Sequence, residues 1–194
     1  HGSGTLGKDV EDQPVDVYVD FEISNPARFE SLTFGYLSGL SGEISGDMKI
    51  TGNISQPEIA GKLGFDETRM TIDPLNLQLY MPNESIQLTK SGIKFDDFKI
   101  FDNNQNKLNI DGSLFTADLE NPAFDLHITS NNFQPVNSTK SDNNIFYGSL
   151  VMDADVKLKG DAGLPVINAS LAIKEGTDLT YVLPGSEIEI VSSE

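Results

Sequence analysis

The chain has 194 residues, 38% of them hydrophobic, no cysteine, and a formal net charge of −17 from 13 basic and 30 acidic side chains. Those figures exclude disulfides, thiolate catalysis and cysteine-ligated metals, and they set the surface against the phosphate backbone of a nucleic acid. Apolar runs fall far short of the ~18 residues that cross a bilayer as a helix, so the hydrophobic content has to be organised as faces of shorter elements.

His1-Gly-Ser-Gly4 reads as an expression scar, and residues 5–194 as one unit cut from a longer protein. Gly2-x-Gly4-x-x-Gly7 matches the dinucleotide fingerprint by letter, but no strand precedes it and no helix follows, so the match is chance. Asp9, Glu11 and Asp12 read as surface acids.

Val15, Val17, Val19, Phe21 and Ile23 alternate with Asp16, Tyr18, Asp20 and Glu22, which predicts a strand with one apolar and one polar face. Asn25-Pro26 can then cap and start a helix, and Phe29, Leu32, Phe34, Tyr36 and Leu37 form a loose stripe. A short helix near residues 26–37 is expected, plugging one end of the sheet or lying across its apolar face.

Leu40 to Phe65 reads as a β-hairpin, with Met48, Ile50, Gly52 and Ile54 on one arm, Ile59, Gly61, Leu63 and Phe65 on the other, and Ser-Gln-Pro57 as the turn. Val156 to Ile173 repeats it without a gap: apolar-x-apolar-x-Gly, a short turn ending in Pro, then alternation. Leu108 to Ile128 is a looser copy with a longer turn to Pro122, and Gln13-Pro14 followed by Val15 to Ile23 is a truncated one. Repetition on this scale predicts an array of units that need their neighbours for cover. Gly52, Gly112 and Gly160 fall where an inward side chain is due, which suits a sheet that bends sharply there.

Between the copies, Met70 to Ile72 and Leu75 to Met81 alternate, Pro82-Asn-Glu-Ser85 is expected to turn the chain, and Ile86 with Leu88 resumes the pattern. Ile93, Phe95, Phe98 and Ile100 follow with a slip at Asp96-Asp97 that predicts a β-bulge. Asn131 to Asn144 is polar and reads as the longest loop. Phe146 to Leu158 is one long alternating strand, Leu179, Tyr181 and Leu183 another, and Ile188 with Ile190 a last short one.

Candidate chemistry is sparse. Asp102, Asn104 and Asn106 share the spacing of the first calcium ligands of an EF-hand, but Lys107 and Ser113 stand where the loop needs Gly and Glu, so a hairpin tip is the better reading. His127 shares its parity with Asp125 and belongs on the polar face, and no Gly-x-Ser-x-Gly elbow offers a nucleophile. The acids Asp16, Asp20, Glu22, Asp153 and Asp155 alternate with apolar residues and read as a solvated face rather than catalytic pairs. No catalytic residue, metal site or cofactor is predicted.

What remains is the apolar face. Its candidate lining is Val17, Val19, Phe21, Met48, Ile50, Ile59, Leu63, Leu77, Leu79, Ile110, Leu126, Ile128, Leu150, Met152 and Leu158, a set without charge. Proteins rarely leave more than a few hundred Å² of contiguous apolar surface in water, so a second sheet, a partner or lipid has to cover it.

The repeated hairpin, together with Asn132-Phe-Gln-Pro-Val-Asn137, Phe146-Tyr-Gly148, and Glu175-Gly-Thr177 before Leu183-Pro184, resembles the C-terminal region of the TamB family, relatives of the AsmA-like proteins of Gram-negative envelopes. The resemblance covers about Pro14 to Pro184. It implies an all-β fold, an elongated curved antiparallel sheet forming an apolar trough (a β-taco). It also implies a periplasmic location, with the full-length protein held in the inner membrane by an N-terminal helix absent here. The partners implied are phospholipid and an outer-membrane β-barrel assembly protein of the TamA or BamA type, and not nucleic acid. The expected function is a non-enzymatic conduit that shields acyl chains between the two membranes and supports outer-membrane integrity. The rivals are an assembly factor that binds outer-membrane β-barrel proteins by strand augmentation, and a closed, dry β-sandwich.

Overall fold

A computed structural model describes residues 14–54 and 57–183. Ten strands form one antiparallel sheet: β1 (Pro14–Ile23), β2 (Leu37–Asn53), β3 (Pro57–Ile72), β4 (Leu77–Thr89), β5 (Gly92–Phe101), β6 (Lys107–Phe115), β7 (Ala123–Ser138), β8 (Phe146–Asp161), β9 (Pro165–Ile173) and β10 (Asp178–Tyr181). Each strand from β2 to β8 pairs with the one before it, and β9 and β10 both lie along the far side of β8. The result is an open, curved meander, all-β as the period-two alternation predicts.

The internal repeat is real in register. Gly52 faces Pro57 and Met48 faces Gly61 in the β2–β3 hairpin; Gly160 faces Pro165 and Val156 faces Ala169 in β8–β9. The looser copy differs, because Gly112 faces Leu126 within the β6–β7 ladder and the connection closes only beyond Phe115 and Ala123. Gly52, Gly112 and Gly160 all have positive φ, 94°, 118° and 102°. At Gly112 a Cβ would lie 2.0 Å from the carbonyl oxygen of Asp125, so neighbouring backbone passes through the space of a side chain, as a sharp bend requires.

Irregularities in the ladders bend the sheet further, and side chains from other strands and turns hold several of them. The slip at Asp96-Asp97 is a bulge: the β5–β6 ladder breaks between Phe95 and Phe98, Asp97 has φ 52°, and its N–H donates to Asp111 Oδ1 at 2.8 Å. The β7–β8 ladder shifts twice, between Ser130 and Phe133 and again between Phe133 and Val136. There Asn132 N–H donates to Asp153 Oδ1 at 2.8 Å and Gln134 N–H to Asp102 Oδ2 at 2.9 Å. The segment Glu175-Gly-Thr177 is the interruption between β9 and β10, where the Thr177 hydroxyl accepts from Val151 N–H at 3.0 Å and donates to Val151 carbonyl oxygen at 3.1 Å. In each case a donor freed by the bulge finds an acceptor.

Several expectations are corrected. Pro82 to Ser85 does not turn; β4 continues through it, with Asn83 facing Asp66 and Glu84 facing Phe65, while the core-facing positions change parity between Met81 and Ile86. Pro82 is tolerated because the β3–β4 ladder skips a step between Asp66/Asn83 and Thr68/Met81. The chain turns instead at a 3₁₀ turn, Asp73–Leu75, with Asn76 left-handed. Asn131 to Asn144 is not one long loop, since β7 extends to Ser138 once its bulges are held. The predicted helix is a 3₁₀ helix, Pro26–Thr33, stopped by Phe34 in the left-handed region, and β2 already begins at Leu37. It does not lie across the apolar face: Phe29, Leu32, Phe34 and Tyr36 are all exposed. Leu183 falls beyond the last strand. The expectations for residues 1–13, the Ser55-Gln56 turn, and Ile188 with Ile190 lie outside the described residues.

Gly112→Ala is expected to destabilise the fold, because a left-handed backbone alone costs an alanine roughly 1–3 kcal/mol and here the methyl group also meets backbone. Gly35→Ala, at φ 80° in open space, serves as the comparison and isolates the conformational cost. Urea unfolding checks the pair, and equal losses would mean the sheet is not bent tightly at Gly112.

One bulge acid, Asp153, also sets a pH dependence. The Lys174 ammonium and the Asn132 N–H hold the Asp153 carboxyl below the ordinary carboxylate value. A depressed folded value adds stability above the unfolded value that is lost as pH falls through the folded one. Stability is therefore expected to drop on acidification below about pH 4, and Asp153→Asn to flatten that part of the profile, as read by thermal unfolding from pH 6 to 2.

Candidate functional site

Directly opposed residues in an antiparallel sheet point to the same side, so the register assigns faces without further assumption. One row runs Val19, Met48, Gly61, Leu88, Ile93, Leu114, Phe124, Gly160 and Pro165 across the sheet from β1 to β9. The next contains Phe21, Gly46, Leu63 and Ile86 at one side and Gly112, Leu126, Leu158 and Ile167 at the other. Val17, Ile50 and Ile59 line up beyond the first row, and Ile110, Ile128 and Val156 beyond the second. Leu77 and Leu79 face Ile72 and Met70, while Leu150 and Met152 face Val136 and Phe133. All fifteen residues picked from the sequence therefore share one face.

The curl divides that face into a covered centre and open margins. Met81, Ile86 and Phe98 are buried, with Leu63, Phe65, Met70, Ile93, Phe95, Ile100 and Ile110 packed against them. Phe98 stacks edge-on with both Phe65 and Phe95, at 5.8 Å between ring centroids in each case. Toward one end of the strands β4 and β7 meet past the tip of the short β5–β6 hairpin, where Asn76 Nδ2 donates to Asn137 carbonyl oxygen at 2.9 Å and Leu77, Phe133 and Val136 are buried. Asp102 seals this tip: its carboxylate accepts from the N–H groups of Asn104, Asn106 and Gln134 and from Asn106 Nδ2. The EF-hand-like spacing is thus an Asx-type turn, and among the described residues no acidic or histidine cluster is arranged to hold a metal.

At the margins the same apolar rows meet solvent. Val17 is 47% exposed on β1, and Ile167 and Ile173 about 60% exposed on β9. Every residue of β9 is exposed, and none carries a charge. Burying the apolar part of such a margin is worth about 25 cal/mol per Å², which makes it the part of the face open to an apolar ligand.

The sequence reading missed two things about this face. It omitted the β9 residues Ile167, Leu171 and Ile173, although the repeat aligns them with Ile59, Leu63 and Phe65. It also took the face to be free of charge, whereas Glu84 stands opposite Phe65 in register. The Glu84 carboxylate accepts from Lys99 N–H at 3.1 Å, in the gap where β4 and β5 are unpaired opposite the bulge. Glu84 shares the parity of Ile86 and Leu88, but was hidden because Pro82 to Ser85 read as a turn.

The opposite face is polar, as the parity of the acids predicts. Lys49 pairs with Asp16 at 3.1 Å and Lys159 with Asp125 at 3.1 Å; Lys90 reaches Glu58 at 2.6 Å, and His127 Nε2 lies 2.8 Å from Asp155. His127 points outward beside Asp125, as expected. These pairs are solvent-exposed and worth little individually, so this face contributes solubility more than stability.

No helix among the described residues is long and apolar enough to cross a membrane. No curated protein and no solved structure matches the chain significantly. The sequence profile of the TamB C-terminal domain matches residues 96–193, from the β5 bulge through β10 and beyond. That family is linked to transport and assembly in the bacterial envelope and to non-enzymatic modules. The repeated hairpin, the one-faced curved sheet and the profile match agree, and the chain belongs to the TamB C-terminal domain family.

Proposed function

We propose that the protein is a non-enzymatic periplasmic conduit whose apolar face shields phospholipid acyl chains between the inner and outer membranes. The observation that carries this reading is the continuity of the apolar rows: fifteen lining positions fall on one face of one sheet, with margins open along β1 and β9. A buried CH₂ contributes about 0.8 kcal/mol, so rows that are apolar apart from Glu84 hold a tail at many points and fix it at none. The headgroup stays in water at the rim. In this reading the full-length protein is anchored in the inner membrane and meets a TamA- or BamA-like barrel at the outer one.

A second reading has its own observation. β9 is an uncharged edge strand with all nine residues exposed and no lysine, proline or inward charge within the run Val166 to Ile173 to guard it. Such an edge can take an extended segment of an outer-membrane β-barrel protein by strand addition.

Native mass spectrometry of protein purified from a bacterial envelope, followed by organic extraction, separates the two. Phospholipid at defined stoichiometry is the expected result; a lipid-free chain that binds barrel-derived peptides would replace the conduit by the assembly factor. Leu158→Asp is expected to lower bound phospholipid about tenfold, since a carboxylate on the face leaves an acyl chain beside an unpaired charge. Ile167→Asp, at a solvent-exposed neighbour in the same row, should do the same with the sheet's circular dichroism unchanged.

A further inference from the structure

In the connection between β1 and β2 two polar side chains turn inward: Glu30 Oε1 accepts from Leu40 N–H at 2.7 Å, and the Thr33 hydroxyl donates to Glu30 carbonyl oxygen at 2.7 Å and accepts from Leu37 N–H at 3.2 Å. Its large apolar side chains face water instead, with Phe29 47%, Leu32 69%, Phe34 90% and Tyr36 65% exposed. Pro26 is buried beneath them and fixes the helix to the sheet. Phe34 is held outward from a left-handed backbone, φ 53° and ψ 30°, a conformation a bulky residue adopts only where the surroundings impose it.

We propose that this knob is a bilayer-contacting element, which seats this end of the sheet in the interfacial region of a zwitterionic phospholipid membrane. Three observations favour lipid over a protein partner. The four side chains expose roughly 400–600 Å², given ~150–250 Å² for a whole aromatic residue, which falls short of the ~800 Å² per partner of a stable protein interface. Phe34 is the most exposed large hydrophobic side chain among the described residues, at 90%, as suits a side chain that inserts between lipids. The segment from Pro26 to Leu37 holds only one cation and one anion, Arg28 and Glu30, so it is neutral on a chain of net charge −17 and is suited to a bilayer without net charge.

The same end of the strands carries further apolar side chains, since Tyr181 is 60% and Leu183 76% exposed where β10 ends. Tyrosine favours the headgroup level, and phenylalanine and leucine the acyl boundary just below it. At the opposite end the exposed Leu119 lies between Asp118 and Glu120, and Leu164 and Ile54 are exposed in other turns, with no aromatic side chain among them. The proposal rests on the conduit reading for its purpose, because a lipid carrier has to touch a bilayer to load or release a tail.

The chain contains no tryptophan, so Phe34→Trp creates a single fluorophore at the tip. With phosphatidylcholine vesicles its emission is expected to shift to shorter wavelength and to be quenched by acyl-brominated lipid. The double variant Leu32→Asp, Tyr36→Asp should lower the vesicle-bound fraction of the full chain at least about fivefold. Emission unchanged by vesicles overturns the proposal. So does emission that is already shifted without lipid in a protein of dimeric mass, which would assign the knob to a second copy. Phospholipid recovered from the envelope-purified chain with no vesicle response would refute the knob and leave the conduit standing; a vesicle response from a lipid-free chain would do the reverse.

Discussion

A single-layer sheet with one apolar face has no second layer to cover it, and this chain meets that constraint by bending. Bending an antiparallel ladder frees backbone donors, and a freed N–H away from water costs about as much as a lost hydrogen bond. The fold therefore depends on side chains that reach across to these donors. Asp111 serves the β5 bulge, Glu84 the neighbouring gap, Asp153 and Asp102 the two bulges of β7, and Thr177 the break between β9 and β10. Most are carboxylates, whose hydrogen bonds to N–H groups are stronger than neutral ones. Part of the chain's acidic excess is thus structural, even though most of it lies on the solvated face.

The consequence is a graded apolar surface. At the centre, where the bulges tighten the curl, aromatic side chains from β3 and β5 meet each other and Met81, Ile86 and Phe98 are dry. Toward β1 and β9 the curl leaves the same rows uncovered. A closed sandwich would have buried both margins, and a flat sheet would have buried neither margin nor centre. The observed gradient gives the molecule enough core to fold while keeping an apolar strip for something else to occupy.

How much of this was legible follows from what each feature depends on. Face assignment depends only on parity, so Val17 to Leu158 could be placed from the sequence alone, as could the outward histidine and the Asp96-Asp97 bulge, where the alternation itself slips. The β7 bulges left no such trace. Asn131 to Ser138 is polar and reads as loop until Asp102 and Asp153, remote in sequence, accept its N–H groups. Pro82 misled for the related reason that its missing donor coincides with a skipped step in the ladder. Which lining residues end up dry was equally hidden, because Leu77 and Val17 have the same alternation and opposite fates.

The two margins differ in a way that bears on assembly. On its polar side β1 carries Asp16, Asp20 and Glu22, and a like strand laid beside it would set acid against acid. β9 has no charge on either side. The repeat makes β9 the counterpart of β3, whose far edge is occupied by β4 through Gly61, Leu63 and Phe65 facing Leu88, Ile86 and Glu84. An uncharged, fully exposed edge is an aggregation hazard in a chain that is otherwise heavily charged, and only Pro165 at its start and Lys174 just past its end guard it. Acyl chains along its apolar rows, or another strand along its backbone, would each cover it. The two covers engage different atoms, side chains in one case and N–H and C=O groups in the other, so a single margin can serve lipid and protein without either excluding the other.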